Sequence, residues 1–183
     1  FGGKITSCLV NPRACHETLL LAKPLAQKER IAVVGAGPAG LAFSTEAAHR
    51  GFDVTLIDAA NEIGGQFNVA KQVPGKEEFF ETLRYFEKQI ERTGVKLQLG
   101  RKVSAQDLVG GGYKHVVLAT GVNPRTPDIE GIGHPKVLGY LEVLRDKKPV
   151  GKTVALIGAG GIGFDVAEFL LAEGASPSLD PAK

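Results

Sequence analysis

The chain has 183 residues, of which 43% are hydrophobic and 23% are charged, fractions that are ordinary for a globular protein with a real core. A formal net charge of +2 is too small to indicate binding to nucleic acid or to a membrane surface. No apolar run reaches the roughly 20 residues of a membrane span, and no signal peptide opens the sequence. We therefore expect a cytoplasmic protein with a small-molecule ligand. Because the chain starts at Phe1 and contains no methionine, we also expect a piece of a longer protein.

Residues 1–29 show no sustained periodicity and contain both cysteines, Cys8 and Cys15. Six residues separate the two thiols, which matches neither a C-x-x-C redox pair nor a complete zinc site. The residues alone favour two reduced thiols over a disulfide, because nothing else suggests an oxidising compartment. A third possibility is that one cysteine is the last ligand of a cluster whose other ligands precede Phe1.

Residues 31–40 read I-A-V-V-G-A-G-P-A-G. The four small apolar residues predict a buried strand, and the glycines that follow fit G-x-G-x-x-G, the turn that a dinucleotide needs. The first glycine permits the tight turn, the second lets the backbone approach a pyrophosphate, and the third lets the next helix pack on the strand. Free N–H groups at the start of that helix then hold the phosphates. The candidate binding residues from this motif are Gly35, Gly37, Pro38 and Gly40.

The residues after this motif supply the context that a glycine pattern needs. Residues 41–50 predict a helix that ends at Gly51, and residues 53–58 predict a second apolar strand that ends in Asp58. A carboxylate at that position accepts hydrogen bonds from a ribose diol. A chance glycine turn in an ordinary α/β domain is the alternative, and strand, turn, helix, strand and acid together favour a nucleotide site.

Residues 59–76 are rich in Gly, Asn and Gln and predict a long loop. Such a loop inside a compact domain is usually functional. Gly64 and Gly65, followed by Gln66, suggest backbone that lies close to a flat ligand, although a plain turn is the alternative.

The elements that follow complete an α/β pattern. Residues 77–93 predict an amphipathic helix and residues 95–99 a strand, with a further short strand near Val103. Residues 115–121 predict another buried strand that ends in a glycine turn. Residues 123–150 are rich in proline and are interpreted as a connector that contains a short helix over residues 140–146.

The opening motif then returns in residues 153–163, T-V-A-L-I-G-A-G-G-I-G. Gly158, Gly160 and Gly163 are again in register, and a helix is predicted from Phe164 to Glu173. The tail offers no second strand and no acid for a ribose, so the second domain is incomplete. The predicted fold is α/β: a Rossmann-like domain with a central parallel sheet, followed by the first strand and helix of a second Rossmann-like domain.

This arrangement resembles the flavoprotein reductases that have two dinucleotide domains. The resemblance rests on the first motif with its acid, on the A-T-G strand end, and on a second nucleotide motif inserted after it. It implies that residues 30–122 belong to an FAD-binding domain and residues 151–183 to the start of an NAD(P)H-binding domain. The strand end adds three candidate FAD contacts, Ala119, Thr120 and Gly121.

Three stretches support a narrower resemblance: T-S-C-L-V-N-P-R-A-C-H-E, G-G-Q-F-N-V-A-K-Q-V-P-G-K-E-E-F and A-L-I-G-A-G-G-I-G-F-D. They look like the bacterial 2,4-dienoyl-CoA reductases, iron–sulfur flavoproteins of the NADH:flavin oxidoreductase and trimethylamine dehydrogenase family. The resemblance implies that electrons pass from NADPH to FAD, then to a 4Fe-4S cluster, and then to FMN in an upstream barrel. That barrel would reduce the unsaturated thioester in the oxidation of fatty acids.

The same resemblance assigns individual residues. Cys8 matches the last cluster ligand, whereas Cys15 has no cluster role. The FAD contacts that it implies are Ala39 at the pyrophosphate turn, Asp58 at the ribose, Gln66 and Lys76 along the glycine loop, and Val103 near the adenine. The barrel, its FMN, three cluster cysteines and most of the NADPH domain are absent from this chain, so we do not expect the chain alone to catalyse the reaction.

Two other functions remain open at this stage. The chain could be a nucleotide-binding module without electron transfer, or it could belong to a trimethylamine-dehydrogenase-like oxidoreductase with another substrate. The sequence does not decide between NADPH and NADH, because the stretch that would bind a 2′-phosphate is missing.

Overall fold

The computed structural model describes residues 6, 8, 11–174 and 176. The elements along the chain are β1 (Arg30–Val34), α1 (Pro38–His49), β2 (Asp53–Ile57), α2 (Phe67–Ala70), α3 (Glu78–Thr93), β3 (Lys96–Gln98), α4 (Ala105–Gly110), β4 (His115–Leu118), α5 (Tyr140–Leu144) and α6 (Gly161–Leu171). None of these helices is long and apolar enough to cross a membrane. The predicted α/β class with a parallel sheet is confirmed.

The four strands form one sheet in the order β3-β2-β1-β4. All three pairings are parallel. After β1 the chain adds β2 and then β3 next to one edge of β1, and it later adds β4 next to the opposite edge of β1. The strand order therefore reverses between the neighbours β1 and β4, and the crevice at their carboxyl ends is the topological switch point, where open α/β sheets bind ligands.

The main core lies between one face of the sheet and the helices α1 and α3. Alternate strand residues point into it, as the two-residue period of a strand requires. Burial of each large aliphatic side chain contributes about 1.5–3 kcal/mol. The buried members of this cluster include Ile31, Val33, Leu41, Val54, Leu56, Leu83 and Ile90.

The strand β4 is exposed, and the prediction that it is buried is wrong. Leu118 is 71% exposed and Val116 is 44% exposed. In the part of the chain that the structure describes, β4 pairs only with β1 and forms an edge of the sheet. An apolar run indicates a strand, but its burial depends on layers that come from elsewhere in the molecule.

The predicted short strand near Val103 is also wrong, because a helix begins there. The Ser104 Oγ accepts a hydrogen bond from the Asp107 N–H at 3.3 Å, and the Asp107 carboxylate accepts one from the Ser104 N–H at 2.8 Å. This reciprocal pair is a capping box, and it stabilises the first turn of α4. The predicted loop 59–76 likewise contains the short helix α2.

The predicted strand of the second motif does not form. Residues 154–159 pair with no strand among the residues described, and Ile157 is 79% exposed. A strand needs a neighbour for its backbone N–H and C=O groups, and the described chain offers none here. The helix of that motif does form as α6, since its hydrogen bonds are internal.

A second, smaller cluster packs α6 against α5 and the α2 region. Its buried members are Val69, Val73, Val143, Leu144 and Val166. The connector helix α5 is therefore part of a small core.

Candidate functional site

The switch point is built around Gly35, which directly follows β1. Its φ is +108°, a conformation that side chains disfavour. A Cβ atom built on it would overlap the carbonyl of Ala119 at the end of β4. The ends of β1 and β4 can therefore lie side by side only because this residue is glycine.

The helix α1 starts directly after this turn. Gly37 is its N-cap and Pro38 is its first residue, a position where the missing proline N–H costs nothing. A Cβ on Gly40 would overlap the Gly35 carbonyl, so glycine is required for α1 to approach the turn. The first-turn N–H groups have no acceptor within the helix, which leaves them available to an anion.

Asp58 connects the end of β2 to the turn. Its Oδ2 accepts a hydrogen bond from the Ala36 N–H at 2.5 Å, and its Oδ1 accepts one from the Ala60 N–H at 2.7 Å. A carboxylate has about four acceptor positions, so each oxygen retains capacity for a ribose hydroxyl. The sequence predicted the carboxylate at this place, and the structure brings it to the first glycine turn.

The glycine pair of the predicted loop lies against the same turn. The Gly64 N–H donates to the Ala36 carbonyl at 2.8 Å. A Cβ on Gly65 would lie 3.1 Å from the Gly37 Cα, so any side chain here would press on the turn. Two backbones meet without side chains between them, which is the cradle that a dinucleotide pyrophosphate needs.

A cavity of about 480 Å³ opens beside this cradle. Its wall includes Asp58, Gly65 and Gln66 from the first nucleotide motif and the loop, and Leu141 and Arg145 from the connector. Sequence reasoning did not find Arg145, because only the packing of α5 brings it here. Local sequence carries no signal for that contact.

The two cations on the cavity wall differ in their surroundings. Lys71 Nζ donates to Asn68 Oδ1 at 2.8 Å and lies 4.9 Å from the centre of the Phe80 ring. Arg145 Nε lies 2.6 Å from Oδ1 of its neighbour Asp146. Hydrogen bonds to the Asp146 carboxylate raise the pKa of the Arg145 guanidinium. Arg145 is the more exposed partner of that pair, so an anionic ligand could compete for it.

The remaining predicted contacts of the first site are distributed more widely. Gln66 Oε1 accepts a long hydrogen bond from the Tyr140 hydroxyl at 3.5 Å. Lys76 Nζ donates to both carboxylate oxygens of Asp165 at 2.7 Å. Neither Lys76 nor the half-buried Val103 is among the described residues that line the cavity.

Residues 119–121, which directly follow β4, also border the Gly35 turn. The Ala119 N–H donates to the Val34 carbonyl at 2.7 Å, and a Cβ on Gly40 would lie 3.5 Å from the Ala119 Cβ. Thr120 is exposed, and Gly121 has a φ of +72°. Of the three, Ala119 lies nearest to the Gly35 turn.

The second motif repeats the local geometry of the first. Gly158 has a φ of +109°, close to that of Gly35. A Cβ on Gly163 would overlap the Gly158 carbonyl, and Gly160 is the N-cap of α6. The turn and helix of the second glycine motif are therefore formed, without a paired strand among the described residues.

Both cysteines are exposed free thiols. Cys8 Sγ accepts a hydrogen bond from the Asn11 N–H at 3.4 Å. Within the described residues, no group of three or more His, Cys, Asp or Glu side chains is placed to hold a metal ion. The assignment of Cys8 as the last ligand of a cluster stays a prediction.

Comparison with known proteins gives one family. The family model described as pyridine nucleotide-disulphide oxidoreductase matches residues 29–178. A metal reductase of Desulforamulus reducens is 36% identical over 98% of this chain, and a cinnamate reductase of Clostridium sporogenes is 35% identical over 92% of it.

One solved structure is similar over nearly the same length. A 2-naphthoyl-CoA reductase in complex with 2-naphthoyl-CoA is 35% identical, covers 90% of this chain and superposes with a TM-score of 0.85. The chain spans about a quarter of each of these proteins, namely 27% of the metal reductase and 25% of the other two.

Proposed function

Because the chain belongs to the pyridine nucleotide-disulphide oxidoreductase family, we propose that residues 30–122 bind FAD and that residues 151–183 begin an NAD(P)H-binding domain. The observation that carries this proposal is the cradle at the switch point. There Gly37 and Gly65 face each other without side chains, and Asp58 lies beside the same turn.

The residues present fit a dinucleotide. The N–H groups at the start of α1 would hold the pyrophosphate, and Asp58 would accept the ribose hydroxyls. Gln66 and Arg145 would line the next part of the ligand. FAD, when bound, supplies the exchange between a two-electron hydride donor and one-electron acceptors, while the protein contributes position and polarity.

We further propose that the complete protein reduces an unsaturated acyl thioester of the 2,4-dienoyl-CoA kind with electrons from NADPH. The names of two relatives support this substrate class. Cinnamate reductase denotes the reduction of an unsaturated carboxylate, and 2-naphthoyl-CoA reductase denotes the reduction of an aromatic acyl thioester. In this proposal Cys8 is the last ligand of a 4Fe-4S cluster, and FMN is held by an upstream barrel of the same polypeptide.

The variant Gly37→Ala tests the FAD assignment directly. Gly37 has a φ of −76°, and its Cβ would meet only the Gly65 Cα at 4.0 Å, an ordinary contact. We expect the fold to tolerate the methyl group while FAD affinity falls at least about tenfold, because the pyrophosphate must approach this backbone.

The measurement is a titration of FAD by flavin fluorescence, with thermal unfolding of the same samples. Gly133→Ala is the matched control, since a Cβ there meets nothing within 4 Å. Equal FAD affinity of wild type, Gly37→Ala and Gly133→Ala would contradict the assignment. No FAD binding by the wild type would favour a structural module.

A further inference from the structure

One segment of the chain touches both glycine motifs. We call residues 64–76 the bridging segment. At its start, the Gly64 N–H donates to the Ala36 carbonyl at 2.8 Å, in the first motif. At its end, Lys76 donates to both carboxylate oxygens of Asp165 at 2.7 Å, and Asp165 lies on the helix of the second motif.

The middle of the bridging segment is packed, so its two ends are not independent. Val73 is 1% exposed and Val69 is 7% exposed. Both belong to the cluster that contains Val166, the residue next to Asp165. Packed side chains of this kind transmit a displacement because they cannot deform continuously.

A connector residue, Lys147, links the segment to the same helix. Lys147 Nζ donates to Gln72 Oε1 at 2.9 Å and lies 4.3 Å from the centre of the Phe169 ring on α6. Besides the ion pair and the shared apolar cluster, Lys147 therefore bridges the segment to α6.

The ion pair at the end of the segment is partly shielded from water. The Asp165 side chain is 24% exposed and the Lys76 side chain is 40% exposed. In the surface ion pair of Lys88 with Glu91, by contrast, both side chains are more than 60% exposed. Pairs with less solvent contact are screened less, and removal of one partner leaves a partly desolvated charge.

We propose that Asp165 is a positioning residue for the first nucleotide site. By holding Lys76 it keeps the bridging segment, and with it Gly65, against the Gly37 turn. Docking of α6 and binding of a dinucleotide at the first motif therefore favour each other, and this coupling is reciprocal. The inference rests on the proposed function only for the identity of the ligand, FAD.

The first test is a double-mutant cycle on FAD affinity in the full chain. We expect Asp165→Asn and Lys76→Gln each to weaken FAD binding about 5- to 20-fold, within the usual range of coupling between sites. The double variant should lose no more FAD affinity than the single variant with the larger loss, because both substitutions break the same contact between Lys76 and Asp165. Asp165→Glu, which keeps the carboxylate, should recover much of the loss.

The control is Glu168→Gln, which makes the same acid-to-amide change on the exposed side of the same helix. It should leave FAD affinity unchanged. Strictly additive losses in the cycle, or an Asp165→Asn variant that binds FAD like Glu168→Gln, would overturn the proposal.

The second test needs no ligand. Amide hydrogen exchange in residues 64–76 should be faster in Asp165→Asn and in Lys76→Gln than in Glu168→Gln. Unchanged exchange would overturn the proposal, whatever happens to FAD affinity. If the wild-type chain binds no FAD, the proposed function fails, and the exchange measurement alone then decides whether Asp165 holds the segment.

Discussion

At Asp58 one carboxylate accepts backbone hydrogen bonds from both sides of the candidate site. It accepts hydrogen bonds from the Ala36 and Ala60 N–H groups, and we propose that it also accepts the ribose hydroxyls of FAD. We expect Asp58→Ala to weaken FAD binding by about 1–3 kcal/mol, because charge-assisted hydrogen bonds are lost. Isothermal titration measures the change, and unchanged affinity would contradict the assignment.

Ser44 is a second residue whose surroundings make a prediction. It is fully buried on α1, and its Oγ has no hydrogen-bond partner in the described part of the protein. An unpaired buried hydroxyl costs about 1–3 kcal/mol. Ser44→Ala should therefore raise the free energy of unfolding by about 1 kcal/mol, measured by urea denaturation.

Thr45 provides the control for this prediction. It is 7% exposed, and its hydroxyl donates to the Leu41 carbonyl at 3.0 Å. Thr45→Ser keeps this donor and should show no such gain. If Ser44→Ala lowers stability instead, the hydroxyl has a partner in solution and the packing described for this face of α1 is incorrect.

At the scale of elements, the edge strand β3 is held to β2 by an ion pair. Lys96 Nζ lies 2.7 Å from Asp53 Oδ1, and the hydrogen bond from Lys96 lowers the pKa of the Asp53 carboxyl. Because the folded pKa is depressed, the pair stabilises the fold above the ordinary aspartate pKa of about 3.9. That contribution is lost as the pH falls through the lower folded value.

The variant Asp53→Asn tests whether this ion pair stabilises the fold at neutral pH and loses its effect in acid. At pH 7 it should lower the free energy of unfolding by about 0.2–1 kcal/mol, the usual range for a surface ion pair, because the Lys96 side chain is 59% exposed although that of Asp53 is only 20% exposed. The difference from wild type should shrink as the pH falls below about 4. Urea denaturation at several pH values measures it, with the exposed Asp128→Asn as the control. A difference that is independent of pH would contradict the role of the ion pair.

The longer helices were predictable because their signals are local, whereas the short helices α2 and α4 were missed. The periodicity of residues 77–93 predicts a helix, and the structure has one over Glu78–Thr93. The strands were less predictable because their pairing is not local. The run at residues 154–157 has the composition of a strand and yet has no described partner, and the apolar β4 is exposed at an edge.

In the candidate site, too, contacts encoded by local sequence were predictable and contacts between distant parts of the chain were not. Gly35 and Asp58 could be placed from the sequence, because a strand, a turn and a second strand fix where they meet. The pairing of Lys76 with Asp165 joins residues 89 positions apart, and Arg145 reaches the cavity only through the packing of α5. No local pattern encodes either contact.

At the scale of the whole molecule, two packed clusters share one segment. The first cluster supports the sheet and the switch point, and the second packs α5 and α6 against residues 64–76. Among the described residues α6 therefore packs on α5 and on Val69 and Val73, and no described strand pairs beside it.

The central claim is that the first motif holds FAD, and an absorption spectrum of the purified chain tests it most directly. The spectrum is recorded before and after acid release, and the released nucleotide is identified by chromatography. We predict a flavin spectrum and released FAD, or the same spectrum after addition of FAD and removal of the excess. A colourless chain that does not retain added FAD would contradict the claim.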